Sequence, residues 1–285
     1  MVGLNFRYNY GLFDVFGEVA TAQNRHWGVG LEVGSRIMPT QGVGLILLYR
    51  YYSPWFDNTS GYAFSETSRL NDENGLYLGA EITRLRHWRW SVYGDVFRFA
   101  GVKYGIPYAP SLGYDALLET AFQPNLIWNM NLRLRAREKA KRGTYHARYQ
   151  FNWSDGGWRL RTQAEANLVC DSTHNLSWGA SVYQDVQYSF SSVPLTLQVR
   201  LQGFDARHWN NRIYNYENDV LYGFAVPAVY GQGGRAYLNL RWQIIKQLGL
   251  YLRVSETVYS RVWQTAHSLS SATRTDIHLL LRATL

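Results

Sequence analysis

Residues 126 to 138, "LIWNMNLRLRARE", put Trp128, Met130, Leu132, Leu134 and Ala136 on one side and Asn129, Asn131, Arg133, Arg135 and Arg137 on the other. A period of two is the signature of a β-strand, whose successive side chains point to opposite faces. The pattern recurs along the chain, at residues 27–33, 145–153, 158–168, 195–202 and 277–285. No comparably long segment has the 3.6-residue period of an amphipathic helix. The chain is therefore expected to be all-β, and each strand to carry one apolar and one polar face.

Punctuation between the strands is uneven. Tight connections fall at "MPTQ", "RHW", "QPN", "SDGG", "SSVP" and "IKQLG". Long polar ones occupy residues 53–74, 100–112, 205–233 and 260–273. Short and long connections broadly alternate, so one end of the sheet should carry tight hairpins and the other extended loops. Residues 2–22 are ambiguous, because Gly11 suits either a turn or a kink. The strands so delimited are about as long as a tilted strand needs to cross a bilayer, about 9–11 residues, and longer than the usual sandwich strand of about 5–6.

Composition decides which all-β class fits. Aromatics make up 16% of the 285 residues, with 22 Tyr and 11 Trp, which excludes a disordered chain. The longest apolar run, "GVGLILLY", is too short for a membrane-spanning helix, which needs roughly 20 residues. Aromatics gather at strand ends: Trp88 and Trp90, Trp153 and Trp158, and Trp178 suit the aromatic girdles of a membrane–water interface. With so many strands a soluble barrel would have too wide an interior for its apolar side chains to fill. Inversion removes that difficulty, with the apolar face to lipid and the polar face to a wet lumen. The expectation is a transmembrane antiparallel up-and-down β-barrel of about 14 strands, within a range of 12–16. Residues 1–285 form a single domain in the bacterial outer membrane, with Leu285 ending the last strand at the short-turn end. The first residues lack the charged and apolar regions of a signal peptide, as a mature or truncated chain with an added Met1 would.

Several stretches resemble the barrel region of a Bacteroidetes-type outer-membrane family whose members carry helix-hairpin-helix modules upstream. They are residues 6–20, 68–82, 95–115 and, most specifically, "YENDVLYGFAVPAVYGQGGRAYLNLRW" at 216–242. The resemblance implies an outer-membrane barrel. It also implies a periplasmic or nucleic-acid partner acting through upstream modules that this sequence does not contain. It supplies no catalytic residues.

Net charge is +8 and uneven: residues 1–123 hold 10 Lys/Arg against 11 Asp/Glu, whereas residues 124–285 hold 19 against 10. Arg133, Arg135, Arg137, Arg148, Arg159 and Arg161 belong to three successive strands, and Arg200, Arg241 and Arg253 follow. Glu18, Glu32, Asp115 and Glu119 represent an acidic side that Arg7, Arg36 and Arg50 interrupt. Such a lumen would concentrate small anionic solutes. Equally, its charges would pair across strands and keep the interior hydrated. "REKAKRG" at 137–143 is a basic tip suited to phosphates of lipopolysaccharide or nucleic acid. The loop 205–233, with Tyr216, Glu217 and Asp219, is the candidate constriction.

No metal or other cofactor is expected, since the lone Cys170 and seven scattered histidines form no ligand cluster. No nucleophile motif accompanies them, so the chain is read as a non-enzyme. Beside a porin-like conduit, the leading reading, stand a structural or partner-binding barrel with a plugged lumen and functional loops, and a barrel enzyme, which would need a histidine such as His208 or His146 to be catalytic. The surrounding partners in each would be outer-membrane lipid, lipopolysaccharide and the barrel-assembly machinery, to which the final strand is addressed.

Overall fold

Alternation is realised as strands throughout. The computed structural model describes residues 1–23, 26–58, 63–268 and 270–284; Leu285 lies outside the described residues. The strands are β1 (Val2–Tyr10), β2 (Phe13–Gln23), β3 (Trp27–Thr40), β4 (Val43–Tyr52), β5 (Glu73–Ile82) and β6 (Trp88–Phe99). There follow β7 (Ser111–Phe122), β8 (Trp128–Lys139), β9 (Arg142–Asp155), β10 (Trp158–Cys170), β11 (Leu176–Ser189) and β12 (Leu195–Ala206). Two short strands, β13 (Ile213–Tyr214) and β14 (Ala228–Val229), precede β15 (Gly231–Ile245), β16 (Leu248–Tyr259) and β17 (Thr273–Ala283). One helix, α1 (Arg261–Ala266), lies between the last two strands.

Fifteen strands make one sheet in strict sequence order, with only β13 and β14 standing apart as their own pair. This is an antiparallel up-and-down meander, with one strand more than the expected 14. The difference arises at residues 2–22. Gly11 adopts φ +55°, a left-handed conformation that glycine takes without a Cβ penalty, and closes a turn between β1 and β2. Gly42, Gly156 and Gly157 do the same in other tight turns. Among the described residues no ladder joins β17 to β1.

The main-sheet strands run from 9 to 15 residues. All connections at one end are tight, the last being the Lys246–Gln247 turn beside the Leu248↔Ala283 pair. The opposite end bears the connections 53–72, 100–110, 207–230 and 260–272, close to the expected bounds.

The residues cluster into two compact units. The first comprises Met1–Ala121, Arg133–Tyr145 and Cys170–Asn175, and the second Phe122–Leu132, His146–Val169 and Leu176–Leu285. In both, exposure is inverted relative to a water-soluble sheet. On β4, Leu45, Leu47, Tyr49 and Tyr51 are exposed while Leu48, Arg50 and Tyr52 are buried. On β12, Val199 and Leu201 are exposed while Gln198, Arg200 and Gln202 are buried. Among the described residues 21 buried side chains are polar or charged against 18 hydrophobic ones. The polar excess belongs to the second unit, while the first also holds two apolar clusters, one around Tyr52 and Phe56 and one around Phe97 and Phe99. Charged groups are seldom fully buried unless paired, which makes their partners the question.

Candidate functional site: the arginine-bearing polar face

In the first unit the polar face is organised around Arg50, whose side chain is wholly buried. Register places Arg50 opposite Glu32 on β3 and opposite Gly75 on β5. Because Gly75 has no side chain, the guanidinium lies across it, where a Cβ would overlap the guanidinium atoms. The side chain thereby reaches Asp95 on β6, which accepts from both terminal nitrogens at 2.8 Å, while Nε donates to Glu73 at 2.7 Å. Such fork-like geometry is the strong form of an ion pair. The connection 53–72 folds onto the same face. Ser65 Oγ donates to Glu73 at 2.6 Å, the Phe64 amide donates to Glu32 at 2.9 Å, and the Phe64 ring lies 4.6 Å from the Arg50 guanidinium.

The three arginines of the first quoted stretch are also in this unit. Arg135 binds Asp115 through two nitrogens, Nε at 2.9 Å, and Arg137 pairs with Glu66 and lies 3.6 Å from Asp115. Arg133 is half-exposed and 3.8 Å from Glu119. Glu18 is exposed, directly opposite Glu32, which accepts from Tyr52. Basic residues here meet acids on the next strand (Arg135 and Asp115), on the strand beyond it (Arg50 and Asp95) and in the connection 53–72 (Arg137 and Glu66). The turn at Ala140–Lys141 brings the Lys141 ammonium over the Tyr108 ring at 4.9 Å, at the end that carries the long loops.

The second unit is built around the connection 207–230. After a 3-10 turn at Trp209–Asn211 it runs extended, and β13 pairs with β14. Asn211, Ile213, Asn215 and Glu217 are buried at alternate positions, whereas Arg212, Tyr214 and Tyr216 are not. The buried set descends along the polar face. Asn211 donates to Asn167 and to the Ser177 carbonyl at 2.9 and 3.0 Å. Asn215 accepts from Gln163 at 2.9 Å, and the Tyr216 carbonyl accepts from Arg200 at 2.8 Å.

Glu217 is fully buried and is the pivot of this loop. One oxygen accepts from Arg235 Nε at 2.7 Å, and the other accepts from Arg235 at 3.0 Å and from Arg253. Ser255 and Thr257 take further Arg235 donors at 3.2 and 2.6 Å. Beyond it, Asn218 donates to Gln198, and Asp219 meets His278 of β17 at 2.7 Å.

The other expected lumen residues of this unit divide into two groups. Arg200 is opposite Asp185 in register, binds it through two nitrogens at 2.5 and 2.6 Å, and stacks on Tyr183 at 3.7 Å. Arg148 pairs with buried Glu165 at 2.8 Å, a carboxylate shared with His146 at 2.7 Å. Arg159, Arg161 and Arg241 have no carboxylate partner among the described residues. Arg241 is exposed, 5.8 Å from the Tyr251 ring centroid. Arg159 and Arg161 border a cavity of about 460 Å³.

The aromatic residues lie as follows. Trp88 and Trp90 stack at 5.5 Å beside a tight turn, and Trp158 packs on Tyr188 at 4.5 Å beside another. Trp153 is half-buried and Trp178 is exposed at the opposite end of its strand. Among the described residues no group of three His, Cys, Asp or Glu side chains has metal-binding geometry.

Glu217 and Asp219 were legible as candidates because of the length of their loop. The Arg200–Asp185 and Arg235–Glu217 pairs and the Arg50–Glu73–Asp95 cluster are not legible in the sequence, since nothing in the order of residues says which carboxylate an arginine will meet. No protein-family model matches the chain, and no curated protein matches it significantly.

Proposed function

We propose that this chain is an integral outer-membrane β-barrel, closed around its polar face, that forms a porin-like conduit favouring small anionic solutes. The observation that carries the reading is the inverted exposure: Leu201 is 64% and Leu281 63% exposed, whereas Arg50 and Glu217 are at 0%. Water would penalise so extensive an apolar exterior, and lipid requires it. Strands of 9 to 15 residues, short turns at one end and long connections at the other fit the same class. In this reading the connection 207–230 is the constriction, and lipopolysaccharide and the barrel-assembly machinery are the surrounding partners.

The resemblance to the Bacteroidetes-type family belongs to the same proposal. Its most specific block, 216–242, contains both Glu217 and Arg235, the two sides of the loop's buried ion pair. A periplasmic or nucleic-acid partner would act through modules outside this sequence, and no catalytic step is part of the reading.

A second reading has its own observation. Arg200, Arg235 and Arg253 are consumed by Asp185, Glu217 and the loop backbone, as in a plugged barrel that works through its loops. Single-channel conductance of the refolded protein in a planar bilayer, with reversal potential under a salt gradient, separates the two. Anion-selective openings that lose selectivity in Arg133→Ala/Arg135→Ala/Arg137→Ala support the conduit. Insertion without conductance overturns it in favour of the plug.

A further inference from the structure

We propose that the cavity bordered by Arg159, Arg161 and Asn218 is a binding subsite for a monosaccharide anion, a hydroxylated sugar carrying a carboxylate or a phosphate. The proposal rests on the reading of the polar face as a solute path and names the solute class that path takes.

Charge is the first argument. Arg159 and Arg161 are two apart on β10 and face the same side, about 7 Å apart along the strand. On this unit's polar face Arg148, Arg200, Arg235 and Arg253 each hold a carboxylate, and Arg241, which does not, lies over the Tyr251 ring outside the cavity. Arg159 and Arg161 hold none among the described residues, and Arg161 is steadied by the Asn152 amide oxygen at 3.2 Å. The single acid in the wall, Asp185, has both oxygens engaged by Arg200. The cavity is therefore cationic, with guanidinium groups that suit carboxylate and phosphate alike.

The rest of the wall supplies the second argument. The wall carries the amides Gln150, Asn152, Gln187, Gln198 and Asn218. Gln198 is tied to Tyr237 and Asn218, and the Gln150 nitrogen to Asn152, so the remaining amide donors and acceptors face the cavity's solute. Chloride and phosphate oxygens can take only the donors of such a wall, whereas sugar hydroxyls, which both donate and accept, can use its donors and acceptors alike. A volume of about 460 Å³ falls in the range of small-ligand sites, roughly 300–1,000 Å³.

Position is the third. Trp158 begins β10 immediately after the tight Gly156–Gly157 turn, so the cavity opens near the short-turn end. Its inner wall is Asn218, the neighbour of Glu217 on the constricting loop. A solute held there sits against the loop it must pass.

Isothermal titration calorimetry on the full chain refolded in detergent tests this with glucuronate, glucose 6-phosphate, glucose and inorganic phosphate. Both sugar anions should bind saturably and glucose should not. Arg159→Gln/Arg161→Gln should weaken binding roughly tenfold or more, the order of one charge-assisted contact, and Arg241→Gln should leave it unchanged. Arg159→Gln alone, at an exposed side chain without an ion-pair partner, serves where the double variant fails to fold. Binding of only one sugar anion narrows the class and supports the site. Binding of neither, equal binding of glucose, equal binding of inorganic phosphate and glucose 6-phosphate, or full binding by the arginine variants overturns it. Conductance measured in parallel keeps the two proposals apart: a conducting protein that binds no sugar anion sinks the subsite alone, and one that binds without conducting sinks the conduit alone.

Discussion

The guanidinium of Arg50 lies across Gly75 to reach Asp95 on the strand beyond it. An arginine usually yields to a crowding methyl group, but this one is fixed at Glu73 and Asp95 and covered by Phe64. Gly75→Ala should therefore force the guanidinium off its carboxylates and destabilise the protein by about 2–4 kcal/mol, approaching the ~3–5 kcal/mol of a broken buried pair. Urea unfolding in detergent, followed by tryptophan fluorescence, measures it. A midpoint equal to wild type would mean that Arg50 adjusts freely and that the cluster contributes little.

Glu217→Gln should act on the loop before it acts on the sheet. Loss of the carboxylate leaves Arg235 and Arg253 buried without a counter-charge, a cost of about 3–5 kcal/mol if the loop stays in place. The loop avoids that cost by lifting away and letting water reach both arginines. Amide hydrogen exchange at 211–219 should accelerate well beyond that of β12 and β15, and single-channel conductance should rise. Unchanged exchange in the loop would show that the Asn211 and Asn215 contacts suffice to hold it.

How far the sequence reveals these features depends on the kind of contact. Strands and turns follow from nearest neighbours, and so the alternation in 126–138 and the "SDGG" turn are readable directly. Gly11 was ambiguous because turn and kink use the same residue; only the ladder between Val2–Tyr10 and Phe13–Thr21 distinguishes them. The extended run at 211–217 is not legible in the sequence because its buried positions, Asn211, Ile213, Asn215 and Glu217, are mostly polar and give no apolar alternation. Arg50 looked like an interruption of an acidic wall, and its neighbours Glu73 and Asp95 make it the centre of that wall instead. Those partners stand 23 and 45 residues away, at separations that sequence order does not encode.

The Asp171 turn should be acid-sensitive. Asp171 accepts from the Thr173 hydroxyl and amide at 2.7 and 2.8 Å and from the Asn175 amide at 2.9 Å. These donors lower its carboxyl to about 2, against ~3.9 in an unfolded chain. A depressed acid adds its contribution in full above the unfolded value and loses it as pH falls through the folded one. The protection of the Thr173 and Asn175 amides, measured relative to their intrinsic exchange rates, should thus be constant above pH ~4 and fall between about 4 and 2. Asp171→Ala should show the low protection at every pH. Equal protection in the two proteins would refute the turn's dependence on the carboxylate.

Leu201→Arg asks what the apolar face touches. Leu201 is exposed near the middle of β12, paired with Gln184 and Ala236, while Val193 is exposed in the tight turn at the strand's end. Against lipid, an arginine at the midplane costs about 2–4 kcal/mol and one near the interface about 0–1. Against water, both substitutions fall within about ±0.5 kcal/mol. Reversible urea titration of folding into phosphatidylcholine vesicles should therefore show a large loss for Leu201→Arg and almost none for Val193→Arg. The contrast between the two positions is what matters, because a general defect in folding would lower both. Two small and equal effects would place the face in water and remove the membrane reading at its root.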